Sequence, residues 1–337
     1  MVEKQKPFAH FAIPVIFLIF VMSHPILGQY RQLNYQLDYN FYAWTCPPLE
    51  SIVRFGVWSA MMNETRIAAS LLRLLFHDCI VNGCDASVLL DDTPNMTGEK
   101  NSNPNRKSAR GFEVIDNIKA DVERYCPQTV SCVDILILAA RDAVVLSGGM
   151  YWPVQLGRRD GMTASVQASN QQIPSPFEGL ENITAKFTSK GLDIRDVVLL
   201  SGAHTIGFAQ CFTFKRRLFN YMGSGKPDPT LNSFLLQNLQ STCPSSDGAN
   251  SNLAALDSVT INQFDNQYYK NLLNNSGLLE SDQALIGDPR TASMVDYYSK
   301  NPYMFYNDFA ASMVKLSNVG ILTGHDGQIR KKCGSLN

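Results

Sequence analysis

The sequence predicts a mostly α-helical globular protein, and three observations carry that prediction. Its 337 residues are 45% hydrophobic and 18% charged, enough to bury a sizeable core as one large domain or two packed lobes. Its periodic segments are mainly of helical length, with no internal repeat or low-complexity linker between them. Turn clusters at Pro94-Asn-Met-Thr-Gly98, Pro227-Asp-Pro229 and Pro244-Ser-Ser-Asp-Gly248 punctuate the pattern. In chain order, helices are expected over Ile52 to Met62, Glu64 to His77, Gly111 to Tyr125, Ser131 to Leu146, Ile194 to His204, Thr213 to Asn220, Asn266 to Leu273 and Met304 to Val319.

Ahead of these lies a leader. Lys4 and Lys6 precede the apolar run Phe11 to Met22, and small residues follow at Gly28, so residues 1–28 read as a secretory signal peptide with Gln29 opening the mature chain. An uncleaved anchor helix is the rival, but Pro14, His24 and Pro25 interrupt the apolar stretch and leave it short of a span. The formal charge is -1; cleavage removes one acid and two bases, leaving -2. Such a balance provides no broad basic field for nucleic acid, and no later stretch is apolar enough for a bilayer. A small substrate is expected.

The cysteines support the same compartment. Eight remain after cleavage (Cys46, Cys79, Cys84, Cys126, Cys132, Cys211, Cys243 and Cys333), and an even count in a secreted chain suggests four disulfides. No pair has C-x-x-C spacing, which disfavours zinc and redox motifs, while spacing alone leaves 105 connectivities open. Sequons at Asn63, Asn95, Asn182 and Asn274 fit a glycosylated secretory protein.

Three histidines remain in the mature chain: His77, His204 and His325. Arg66, Ser70, Arg73 and His77 are spaced at 4, 3 and 4, which puts them on one helical face. Leu71, Leu72, Leu75 and Phe76 make much of the rest of that helix greasy, so the polar stripe lies on an element the fold will largely bury. A solvated face is the plain alternative. Two arginines and a histidine with no acid among them instead suit an anion or a developing negative charge. His204 follows Val197 and Leu200 on an apolar face and by itself reads as a core residue; His325, in Thr323-Gly-His-Asp-Gly327, reads as an exposed loop residue.

Two motifs around these histidines resemble the secretory plant haem peroxidases of class III. Arg73-Leu-Leu-Phe-His-Asp-Cys-Ile-Val-Asn-Gly-Cys-Asp-Ala-Ser87 resembles the family's distal motif, and Leu200-Ser-Gly-Ala-His-Thr-Ile-Gly207 its proximal one. Further likeness lies at Arg110-Gly-Phe-Glu-Val-Ile-Asp116, Leu156-Gly-Arg-Arg-Asp160, Phe264-Asp-Asn266, Ser281-Asp-Gln283 and Cys333, so it spans nearly the whole mature chain. The resemblance implies a haem peroxidase fold in which a distal lobe (roughly 29–160) and a proximal lobe (roughly 161–320) enclose one haem b, with the C-terminal segment tied back through Cys333. It implies that His204 ligates the iron, that Asp282 accepts its other N–H, and that Arg66 meets a haem propionate. His77 becomes the proton acceptor for hydrogen peroxide, Arg73 the stabiliser of charge as the O–O bond breaks, and Asn105 the partner that sets His77's basicity. Small phenolic or other aromatic donors would be oxidised one electron at a time, through the family's compounds I and II, near Pro174; a plain turn is the equal alternative for that proline. Phe76 and Leu256 disfavour the intracellular ascorbate and cytochrome c peroxidases.

Two calcium ions are also implied. Asp78, Asp85 and Ser87 form an oxygen-rich loop closed by Cys79 and Cys84, suited to a hard cation, though a solvated acidic turn is the commoner case. The family adds Val81, Gly83 and Glu99 to that site and assigns a second one to Thr205, Asp257, Thr260, Gln263 and Asp265. It pairs Cys46 with Cys126, Cys79 with Cys84, Cys132 with Cys333, and Cys211 with Cys243, and it implies a monomer in the cell wall or apoplast. Leu75, Ile80 and Lys107 depart from residues frequent in relatives and are expected to alter the pocket entrance. Two other readings stay open: a secreted calcium glycoprotein with little chemistry, and a metallohydrolase built on His77-Asp78, which lacks a third ligand at helical spacing.

Overall fold

The computed structural model describes residues 1–2 and 36–337. The leader expected over residues 1–28 therefore lies, apart from its first two residues, outside the described residues. Thirteen α-helices and a single two-stranded sheet are present among the described residues.

The N-terminal half is organised around one helix. α1 (Leu49–Asn63) buries Leu49, Val53 and Val57 at fourfold spacing, and α3 (Phe112–Tyr125) buries Val114, Ile115, Ile118 and Val122. α2 (Ile67–Cys79) and both of these pack on α4 (Cys132–Leu146), which is apolar nearly all round and buried along almost its whole length. Ser131 caps α4 by accepting a hydrogen bond from the Asp134 amide.

Beyond α4 the chain forms α5 (Val166–Gln172), α6 (Leu180–Thr188) and α7 (Ile194–Ser201), which runs directly into a 3₁₀ turn over Gly202–Thr205. Strand β1 (Phe208–Gln210) pairs antiparallel with β2 (Leu253–Ala255), Phe208 facing Ala255. Between them lie α8 (Lys215–Phe219) and α9 (Ser233–Thr242); α10 (Gln267–Leu273), α11 (Glu280–Gln283), α12 (Pro289–Lys300) and α13 (Pro302–Leu316) follow. A main apolar core joins helices of both halves, and a smaller one gathers Phe214, Leu218, Leu231, Leu239 and Ala254 around Cys211 and Cys243.

Several expected boundaries move. α2 begins at Ile67 with Arg66 as its N-cap, not at Glu64, and α8 is shorter than the expected Thr213 to Asn220. α5, α6, α9, α11 and α12 are additional to the sequence reading. α5 buries only Ser169, α11 has four residues, and α12 buries Thr291 and Ser299 alongside Val295 and Tyr298, so none of these three shows a clean apolar stripe.

Disulfides join Cys46 to Cys126, Cys79 to Cys84, Cys132 to Cys333 and Cys211 to Cys243. Buried ion pairs fix the connections. Asp134 of α4 pairs with Arg158 at 3.1 Å and accepts the Gly157 and Arg158 amides. Asp160 accepts the Arg330 amide, while the Arg330 guanidinium donates to the carbonyls of Ala86, Gly161 and Cys333. The C-terminal segment is thereby fastened to the loop following α2. Arg158 is paired with Asp134, and the Arg330 guanidinium is held by carbonyl oxygens, which offsets part of the penalty of burying these charges.

Candidate active site

The C-terminal half of α2 presents Arg73 and His77 on one face, as the spacing predicts. His77 is 5% exposed. Its Nδ1 is hydrogen-bonded to the Asn105 side-chain oxygen, and the Asn105 amide nitrogen donates to the Glu99 carbonyl at 3.0 Å. That second bond decides the geometry. With its NH₂ group anchored on a carbonyl, Asn105 turns its oxygen to His77, so Nδ1 carries the hydrogen and Nε2 keeps a lone pair. Burial, reinforced by the Arg73 charge and only partly offset by Asn105, pushes the His77 pKa down to about 3. The imidazole is thus a neutral base at ordinary pH.

Arg73 donates to the Pro104 carbonyl at 2.8 Å and the Ser108 hydroxyl at 3.1 Å, and among the described residues it has no carboxylate partner. Burial lowers its pKa to about 10, which leaves it cationic. A half-buried arginine enclosed by protein and without a carboxylate partner is placed to meet an anion or a developing negative charge. Arg66, two stripe positions earlier, is committed differently: its guanidinium pairs with Glu64, which also binds Arg110. Nothing in the sequence pattern flagged Glu64.

The sequence predicts one helix from Ile194 to His204, but α7 does not continue as an α-helix that far. It ends at Ser201 and tightens into the 3₁₀ turn. Gly202 permits this, because a Cβ there would stand 2.5 Å from the Tyr269 hydroxyl and 2.7 Å from the Phe305 ring. The changed winding takes His204 off the buried face of Val197 and Leu200 and brings it to α11. There its Nδ1 donates to Asp282 Oδ1 at 2.7 Å; the same oxygen accepts the Tyr268 hydroxyl at 3.1 Å, while Oδ2 accepts the Leu279 amide. Burial lowers the His204 pKa, but attraction to Asp282 and their hydrogen bond outweigh it, and the net shift is upward. Tyr268 escaped sequence reading because a tyrosine among the mixed residues of a short helix carries no signal of its own.

His204 is densely surrounded by protein, yet 37% of its side chain remains accessible, so it lines an internal cleft. The Arg73 charge depresses the pKa of both imidazoles, so the guanidinium lies within electrostatic reach of each. Each ring has its Nδ1 fixed by a neighbour, and neither Nε2 has a protein partner among the described residues. This donor set fits a haem: one imidazole ready to ligate, and a second imidazole that is a neutral base beside a cation.

The loop after α2 collects oxygen atoms. Asp78, Ser87 and Glu99 are buried, and the Ser87 hydroxyl and Glu99 Oε2 have no hydrogen-bond partner. Burial, and then repulsion from Asp85, holds the Asp78 pKa well above its usual value; burial likewise raises Asp85 and pushes Glu99 to about 7. Orphaned oxygens beside carboxylates that resist ionisation fit a hard cation. The second expected set is different. Thr205 donates to Asp265, but the Asp257 oxygens already accept from Val259, Thr260 and Asn271, and no buried side-chain oxygen of the set is orphaned. No group of three His, Cys, Asp or Glu side chains able to hold a metal occurs among the described residues.

The remaining positions are spread over the molecule. Pro174 is half-buried in the connection from α5 to α6, and Asn63, Asn95, Asn182 and Asn274 are all exposed, as is His325. Leu75 and Ile80 are fully buried core residues, so the expectation that they alter the pocket entrance is corrected. Lys107 is exposed with a left-handed backbone (φ +61°), a conformation that asparagine adopts more easily than lysine.

A model of the peroxidase family matches residues 53–301. The chain is 62% identical to Peroxidase 10 of Arabidopsis thaliana over 304 residues, covering 90% of this chain and 87% of that protein. It is 51% identical to Peroxidase 4 of Vitis vinifera over 303 residues, covering 90% and 92%, and 50% identical to Peroxidase 54 of Arabidopsis thaliana, covering 90% and 85%. The fold is that of a haem peroxidase, an enzyme that uses hydrogen peroxide. The chain belongs to the class III plant peroxidases.

Proposed function

We propose that one haem b lies between His204 and His77 and that the enzyme oxidises small phenolic or other aromatic donors by one-electron steps. The reading is supported by two imidazoles, each with Nδ1 held by a neighbour and Nε2 without a protein partner among the described residues, and by an arginine with no carboxylate partner whose charge acts on both. When bound, the haem supplies the redox chemistry. His204 would hold it through Nε2, and Asp282, by accepting the Nδ1 hydrogen, makes that imidazole a stronger ligand. His77 Nε2 takes the proton from one oxygen of hydrogen peroxide and returns it to the other, which leaves as water. Arg73 meets the negative charge that develops on the departing oxygen. Two phenols each give up one electron and one proton, so one peroxide yields two waters and two phenoxyl radicals. Pro174 borders the donor approach, and Arg66 meets a haem propionate in exchange for part of its bond to Glu64.

A calcium ion held by Asp78, Asp85 and Ser87 with the carbonyls of Val81 and Gly83, and Glu99 nearby, fits the orphaned oxygens described above. A second at Thr205, Asp257, Thr260, Gln263 and Asp265 would have to share oxygens that already accept protein donors. The division into distal and proximal lobes on either side of the cleft, the leader at residues 1–28, secretion to the cell wall and a monomeric state belong to the same proposal. Among the described residues no helix is long and apolar enough to cross a membrane.

The absorption spectrum of the haem-loaded protein tests this reading. Stoichiometric hydrogen peroxide should bleach the Soret band, and a phenol should restore it. A protein that binds haem and leaves both peroxide and phenol unchanged would overturn it.

A further inference from the structure

A run of tyrosine rings leads away from the proximal histidine. Ring centroids of His204 and Tyr268 are 6.2 Å apart, Tyr268 and Tyr269 5.2 Å, Tyr269 and Tyr298 5.5 Å, and Tyr298 and Tyr297 5.4 Å. The first two tyrosines are fully enclosed in the core, whereas Tyr297 is 45% exposed. We propose that these four tyrosines conduct oxidising equivalents from the haem cleft to a second oxidation site at Tyr297, which serves phenolic donors too large to enter the cleft. The inference rests on the one-electron phenol oxidation proposed above.

Electron transfer falls steeply with separation, so rings in near contact carry a charge over a distance that one jump would not. Phenols lose an electron far more readily than phenylalanine does. The neighbouring stack of Phe264, Phe305 and Phe309 therefore packs the core without offering a competing route. An oxidised phenol also sheds its proton, and the ladder supplies acceptors. Tyr268 donates to Asp282 at 3.1 Å and Tyr298 to Asp308 at 2.9 Å, two carboxylates able to take the proton, whereas Tyr269 donates to the Val198 carbonyl at 3.1 Å and keeps its proton in that bond as the electron passes. The proton of Tyr298 can move to Asp308 as its electron leaves and return when the ring is reduced.

The outer end opens on a surface depression of about 420 Å³ lined by Tyr297, Tyr298, Met294, Met304, Arg195 and Asp308. Aromatic and thioether faces with one charged pair suit a phenol ring carried on a larger body. There a donor phenol gives one electron to oxidised Tyr297 and one proton to water, leaving as a phenoxyl radical, and Tyr297 takes back from water the proton it released on oxidation. Hydrogen peroxide, reduced to water in the cleft, supplies two such equivalents.

The test uses the haem-loaded enzyme with hydrogen peroxide, no donor, and a nitroso spin trap, followed by peptide mass spectrometry. A trap adduct on Tyr297 is expected, falling at least about fivefold in Tyr269→Phe. In parallel, the ratio of oxidation rates for a phenol-grafted dextran and for the free phenol should fall at least about fivefold in Tyr297→Phe. That exposed substitution keeps the ring, so its ratio decides even if the buried variant fails to fold. No adduct at Tyr297, or an unchanged ratio, overturns the ladder while phenol oxidation stands. Loss of free-phenol oxidation in the unaltered enzyme would instead defeat the underlying reading.

Discussion

His77 can take a proton only while its Nε2 carries the lone pair, and a side chain on the far side of the ring determines that. Asn105 holds Nδ1–H because its own NH₂ is tied to the Glu99 carbonyl. Asn105→Val keeps the volume and removes the acceptor, so the reaction with peroxide should slow about 10- to 100-fold in stopped-flow traces, the usual cost of losing such an orienting partner. An unchanged rate would show that the ring is oriented by packing alone. Burial and Arg73 set the pH response: a base with a pKa of about 3 is unprotonated above that value. The rate constant with peroxide should therefore stay level as pH falls from neutral and decline only as it approaches about 3. A loss of rate centred near the ordinary histidine value of about 6.5 would place the essential titration elsewhere or show His77 to be solvated.

Elements aim these side chains, and the turn after α7 does so by abandoning α-helical winding. Gly202→Ala keeps an allowed backbone conformation but drives a methyl group into Tyr269 and Phe305. The expected cost is about 1–3 kcal/mol of stability in chemical denaturation, with weakened haem retention because His204 shifts from Asp282. Equal stability and haem content would mean that the 3₁₀ turn has room to relax. This turn also marks where sequence reading stops. The polar stripe of α2 was legible because Arg66, Ser70, Arg73 and His77 obey helical spacing on a greasy helix, whereas His204 became a ligand candidate only through the resemblance of its motif. Its final direction depends on Tyr269 and Phe305, residues 65 or more positions away in sequence, which no local pattern encodes. The same holds for α5 and α12, whose buried faces include Ser169, Thr291 and Ser299, and for Glu64, whose grip on Arg66 and Arg110 is purely tertiary.

Across the whole described body, the loop after α2 meets the C-terminal segment through Arg330 and stands next to the Cys79–Cys84 disulfide. Calcium there would bind the folded state alone and so add to its stability. Saturation at 100 times Kd contributes about 2.7 kcal/mol, and each kcal/mol shifts a chain of this size by roughly 2–4 °C. A chelator should accordingly lower the thermal midpoint by about 5–10 °C, and Asp78→Asn should abolish most of that response. A midpoint indifferent to chelation would leave Ser87 and Glu99 without their cation. Loosening this loop also disturbs Asn105 through the Glu99 carbonyl, which connects metal content to the basicity of His77. The central claim, that His77 is the proton acceptor for hydrogen peroxide in a haem peroxidase, is tested most directly by the peroxide reaction rate of haem-loaded His77→Leu. A fall of about 10² to 10⁴ relative to the unaltered enzyme is predicted, and a fall of less than about tenfold would contradict it.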